Sequence, residues 1–122
     1  MKVLLVAGCL FGFLGVAAGA FGAHALRGQL STEMLDIWEI AVRYQIYHSL
    51  ALLLVSVLGK QTGLPGAWWA GAAMIAGVLL FSGSLYLLAL TGLRWLGAVT
   101  PLGGIAFLIG WALLAWVVWS SR

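Results

Sequence analysis

The stretch "IWEIAVRYQIYHSLALLLVSVL", Ile37 to Leu58, decides the fold. It ends in the run "LALLLVSVL", Leu50 to Leu58, and before that run it carries Glu39, Arg43, Tyr44, Tyr47 and His48. All three acids of the chain, Glu33, Asp36 and Glu39, fall at or just before its start. From Ser31 to Leu58 there is no glycine or proline, so a helix capped by Ser31 or Thr32 runs through the whole stretch. At 1.5 Å per residue such a helix is about 40 Å long, against about 30 Å of bilayer hydrocarbon. It therefore projects beyond the bilayer by about two turns at its N-terminal end, where the helix dipole favours the acids.

Composition places the rest of the chain in the same solvent. Of 122 residues, 64% are hydrophobic and 7% charged, where soluble domains carry about 25% charged residues. A soluble domain of this length must cover its surface with polar groups, and this chain lacks them, so membrane insertion is the class that fits. The net charge of +3 comes from scattered basic residues. Lys2, Lys60, Arg94 and Arg122 stand at the ends of apolar runs, as anchors do. No basic patch suited to nucleic acid is present. Cys9 is the single cysteine, which excludes an intrachain disulfide and a thiol metal motif.

Four runs reach bilayer length, about 3–23, 38–58, 67–91 and 101–119, in one domain covering 1–122. The expected fold is an all-α integral membrane protein, a four-transmembrane-helix bundle with the second helix extended beyond the bilayer. The first run imitates a signal peptide through Lys2, its apolar core and Ala23 to Ala25. It is long enough to span and is read as retained. Thr100 is expected to cap the fourth helix, with Pro101 at its first helical position. Trp38, Trp68, Trp69, Trp95, Trp116 and Trp119 fall at span ends, as an interfacial belt would, and only Trp111 is internal. Four spans put both termini on one side, and Lys2, Lys60 and Arg122 favour that side as the inner one.

Gly8, Gly12, Gly15, Gly19 and Gly22 follow one another at spacings of 4, 3, 4 and 3. That repeat lines them along one seam of the first helix, a glycine zipper where backbones approach closely. A packing face within the monomer is the favoured reading over a dimerisation face. Ala70, Ala73, Gly77 and Ser84 form a weaker seam on the third helix that is expected to meet it.

Alternating helix directions bring one end of every span to the same leaflet. His24, Glu39, Arg43, Tyr44, Tyr47, His48, Ser82, Ser84, Tyr86 and Thr100 all belong to that leaflet and form the candidate polar cluster. Glu39 and Arg43 are spaced i, i+4 in the favourable order for an ion pair, which is expected to face the bundle interior. His48 lies near mid-membrane, about 140° round the helix from Arg43. It is expected to bond Tyr44, Ser82, Ser84 or Tyr86. Buried groups of this kind either fix packing or mark a functional site, and spacing alone leaves both open.

The segments "GAFGAHAL", "WEIAVRYQIYHSLALLLV", "FSGSLYLLALTG" and "TPLGGIAFLIGWALLAW" resemble a small four-span bacterial inner-membrane family typified by YgdD. The resemblance runs the length of the chain. It implies four membrane helices in a bacterial inner membrane, and it carries no activity, cofactor or catalytic residue with it.

The residues point first to a non-enzymatic membrane component that binds lipid or a partner membrane protein, or self-associates. The alternative is a small oligomeric channel or transporter using Glu39, Arg43 and His48. An intramembrane lipid-modifying enzyme with His24 or His48 as base ranks third, because no nucleophile with an oxyanion site is legible. No metal is expected, since Glu39 and His48 lie on opposite faces of their helix.

Overall fold

The structure, a computed structural model, describes residues 1–121, so the anchor role read for Arg122 lies outside the described residues. Helix α1 is Lys2–His24, α2 is Thr32–Thr62 and α3 is Gly66–Thr91. A 3₁₀ turn over Arg94–Ala98 leads into α4, Thr100–Ser120. All four helices are long and apolar enough to cross a membrane, and the fold class is the one the sequence indicates.

Helix α2 has 31 residues, or about 46 Å, so the overhang is real. Of the two capping residues considered, Ser31 takes the role, its hydroxyl accepting from the Met34 amide at 3.2 Å. Gly63, at φ +65°, ends the helix in the left-handed conformation that glycine adopts at least cost. Glu33 in the first turn meets Arg94 at 3.4 Å, tying the overhang to the connection before α4.

Two local expectations are corrected. Thr100 does not cap α4: Val99 before it is already helical, and the Thr100 hydroxyl instead shares a 2.7 Å hydrogen bond with Ser84. Helix α3 is not uniform either, for Val78–Ser82 form a π-helical turn between α-helical halves. Its cause is tertiary. Gly103 of α4 lies so close to the Phe81 backbone that a β-carbon there would collide with it, and the Ser82 hydroxyl donates to the Ala41 carbonyl of α2 at 2.7 Å.

Helix α1 lies along α2 in antiparallel register. Gly22 faces Trp38, Gly19 faces Val42, Gly15 faces Ile46, Gly12 faces Ser49 and Gly8 faces Leu53. Each step back along α1 matches a step forward along α2, so the glycine seam is a packing face within the monomer. The expected meeting of this seam with α3 does not occur. Ala70 and Gly77 instead serve α4, against Gly110 and Phe107, and Gly71 alone receives Leu4 of α1.

One core joins all four helices, around Leu4, Leu52, Met74, Leu114 and Val117. It lies at the end where α1 starts and α2 finishes. Toward the other end the apolar contacts divide into separate groups around Trp38 and around Leu85. Trp38 is only 8% exposed, which corrects its expected place in the interfacial belt. Trp69, Trp95, Trp116 and Trp119 are well exposed at helix ends, as a belt requires.

Candidate functional site

The polar residues of α2 leave the helix in three directions. Toward α1, the Trp38 indole donates to the Ala18 carbonyl at 2.8 Å, the Gln45 amide to Phe11 at 2.9 Å, and the Ser49 hydroxyl to Gly8 at 2.7 Å. Such bonds need a side chain to reach past the neighbouring helix surface to its backbone. The glycine seam makes that approach possible. Gln45 is 5% exposed, and its Oε1 also accepts from the Tyr86 hydroxyl of α3 at 2.7 Å. It thus links α1, α2 and α3. The sequence reading passed over Gln45, although a neutral amide seven residues after Trp38 is on the same helix stripe and was the available signal.

Toward the outside, Arg43 pairs with Glu39 at 2.9 Å, with the two side chains 56% and 60% exposed. The pair forms as expected, but it faces away from the bundle interior. That corrects its expected direction. Both residues line a groove of about 780 Å³ beside the end of α1, together with Arg27 and Asp36 over Gly19 and Gly22.

Toward α4, His48 is 4% exposed and stacked on Phe107 with ring centroids 3.5 Å apart. Its Nδ1 contacts the Tyr44 carbonyl at 2.7 Å, and the Trp111 indole lies 3.1 Å from Nε2. A carbonyl can only accept and an indole N–H can only donate. The ring is therefore held as the neutral tautomer protonated at Nδ1. Of the partners expected for His48, Tyr44 is present through its backbone and Ser82, Ser84 and Tyr86 are not. Trp111 was the internal tryptophan, and its need for an acceptor was the signal for this bond.

The ten candidate residues are therefore not one cluster. Glu39 and Arg43 share the outer groove, Tyr44 and His48 both stack against Phe107, and Tyr86 joins Gln45. Ser82, Ser84 and Thr100 bond helix to helix. Tyr47 is exposed with its edge against Tyr44, and His24 is exposed at the end of α1. Among the described residues no three His, Cys, Asp or Glu side chains could hold a metal ion.

A second groove, of about 700 Å³, opens sideways between α1 and α3. Phe11, Leu14 and Phe21 form one wall, Leu79 and Gly83 the other. Trp38 and the Gln45–Tyr86 bond lie at its base. Because α1 meets α3 where Leu4 sits on Gly71, the space beyond that contact is left open. The groove is almost wholly apolar, and the polar groups at its base are already bonded within the protein, Gln45 with Tyr86 and Ser82 with the Ala41 carbonyl.

Residues 18–104 match the model of the family described as "Protein of unknown function (DUF423)". UPF0382 membrane protein SAB0533 of Staphylococcus aureus (strain bovine RF122 / ET3-1) is 46% identical over 114 residues, covering 93% of each chain. UPF0382 membrane protein YwdK of Bacillus subtilis (strain 168) is 45% identical over 115 residues, covering 93% of this chain and 94% of its own. No solved structure matches the chain. With four membrane-capable helices and relatives of this kind along almost its whole length, the chain belongs to DUF423, a family of membrane proteins of unknown function.

Proposed function

We propose that the chain is a non-enzymatic, lipid-binding component of the bacterial inner membrane, of the group typified by YgdD. It crosses the bilayer as one unit over about 3–23, 38–58, 67–91 and 101–119, with both termini on the cytoplasmic side. The groove between α1 and α3 takes one acyl chain of a membrane lipid.

One observation carries this reading: the groove is apolar, opens sideways between two helices, and the polar side chains at its base are satisfied within the protein, Gln45 and Tyr86 by each other and Ser82 by the Ala41 carbonyl. An acyl chain asks for apolar walls and no hydrogen bonds, which is what they present. A channel using Glu39, Arg43 and His48 is less well supported. Those groups leave α2 in different directions, and both nitrogens of His48 are engaged.

Native mass spectrometry of the protein extracted in mild detergent tests the proposal. Gly83 lines the groove, and no protein atom lies within 4 Å of where its β-carbon would be. Gly83→Leu therefore introduces an apolar side chain into the groove lining at a position with room for its β-carbon. Wild-type protein is expected to retain a stoichiometric phospholipid and the variant to lose it. A wild-type protein free of lipid, or a variant that retains as much, overturns the reading.

A further inference from the structure

The charged groove at the end of α1 is built differently from the apolar one. It sits on the other side of α2: Asp36, Glu39 and Arg43 share a stripe about 140° round the helix from Trp38 and Gln45. Only Trp38 lines both grooves. Within about 780 Å³ it collects Arg27, Arg43, Asp36 and Glu39 around a floor of Gly19 and Gly22, which present no side chains. Glu39 and Arg43 neutralise each other at 2.9 Å. Among the described residues neither Arg27 nor Asp36 has an ion-pair partner. One cation and one anion are thus left facing the same space, at the level where α1 leaves the bilayer and α2 enters it.

We propose that this groove binds the headgroup of an amine-bearing phospholipid, the phosphate against Arg27 and the ammonium against Asp36. The charge pattern selects for this chemistry. An anionic headgroup gains from Arg27 but meets the unpaired Asp36 unfavourably, whereas a zwitterion satisfies both signs. The guanidinium fork matches two phosphate oxygens, and an ammonium is a compact donor suited to a carboxylate. Arg43, held by Glu39, adds a second cation beside the phosphate position without leaving a net charge. The groove lies at headgroup depth: the polar zones of a bilayer are about 5–8 Å thick on each side of the hydrocarbon. This inference rests on the lipid-binding reading for the class of ligand, but it does not need the acyl groove.

Short-chain lipids separate the two sites, because dihexanoyl chains leave the headgroup to dominate recognition. Native mass spectrometry is run with equimolar dihexanoyl-phosphatidylethanolamine and dihexanoyl-phosphatidylglycerol on wild type, Asp36→Asn, Arg27→Gln and Gly83→Leu. Wild type is expected to favour the ethanolamine lipid by about fivefold, the scale of one exposed charge-assisted contact. Asp36→Asn should abolish that preference, and Arg27→Gln should weaken binding of both lipids. Gly83→Leu should keep the preference even while it loses long-chain lipid. A wild type with no preference, one that favours the glycerol lipid, or an Asp36→Asn protein that discriminates as before overturns the proposal. Loss of preference in Gly83→Leu overturns the independence of the two grooves. Since Asp36 and Arg27 are both exposed, these variants are expected to fold.

Discussion

Two adjacent glycines in α4 should respond to alanine in opposite directions. At Gly103 a β-carbon would lie 2.7 Å from the Cα and Cβ of Phe81 and closer still to its amide nitrogen. At Gly104 no heavy atom of another group would lie within 4 Å of a β-carbon. Both positions are helical, so alanine offers each up to about 1 kcal/mol of propensity. At Gly104 nothing opposes that gain, and Gly104→Ala is expected to stabilise by about 0.5–1 kcal/mol. At Gly103 the obstacle is backbone rather than a rotatable side chain, and overpacking costs about 1–3 kcal/mol. Moving the π-turn away also pulls Ser82 from the Ala41 carbonyl, a further loss of about 1 kcal/mol. The net for Gly103→Ala is a destabilisation of about 1–3 kcal/mol, and the gap between the neighbours is about 2–4 kcal/mol. Titrating dodecyl sulfate into mixed micelles, with unfolding followed by circular dichroism, measures it. If the two variants unfold within about 0.5 kcal/mol of each other, the account of why α3 carries a π-turn is wrong.

Other substitutions probe other contacts by the same unfolding assay. Tyr86→Phe removes the donor to Gln45 Oε1 and should cost about 1–2 kcal/mol; no change would mean that Gln45 finds another partner there. Trp111→Phe leaves His48 Nε2 buried without its donor, at a cost of about 1–2 kcal/mol. A double-mutant cycle with His48→Phe should then show a coupling of about 1 kcal/mol, and additivity would refute the pairing. Gly12→Ala places a β-carbon 2.8 Å from the Ser49 hydroxyl. Its cost should therefore shrink in a Ser49→Ala background, and an unchanged cost would contradict the register of α1 on α2. Glu39→Gln, at an exposed pair, should leave the unfolding midpoint unmoved; a clear shift would place that pair inside the bundle.

Much of the fold can be read in the sequence because it depends on local properties. Run length and hydropathy give the helices, and the glycine repeat gives a close-packed face on α1. The repeat does not name its partner. Close approach needs a complementary surface, and that surface is the set of knobs Trp38, Val42, Ile46 and Ser49 on α2. These recur at the same interval but differ in chemistry, so they do not announce themselves as a seam. The π-turn has no local signature at all, since it follows from Gly103 and Ala41 on two other helices. Spacing was enough to foresee the Glu39–Arg43 pair, whose two members lie on one helix. Its outward direction depends on where α1 lies against α2. Gln45 was missed because charge drew the attention to its neighbours, whereas in lipid a buried amide has as strong a need for partners.

The order of the contacts along the chain bears on how the protein is made. Trp38, Gln45 and Ser49 are polar groups that α2 must carry into the membrane. The carbonyls that receive their protons belong to α1, which is synthesised first. As α2 enters the bilayer, its acceptors are already there, and the first hairpin can close with few unsatisfied donors. The Gln45 carbonyl and the His48 ring must wait for Tyr86 and Trp111, which arrive with the second hairpin. Their unfilled bonds are what the first hairpin offers the second, so assembly has a direction written into which side chain waits for which helix.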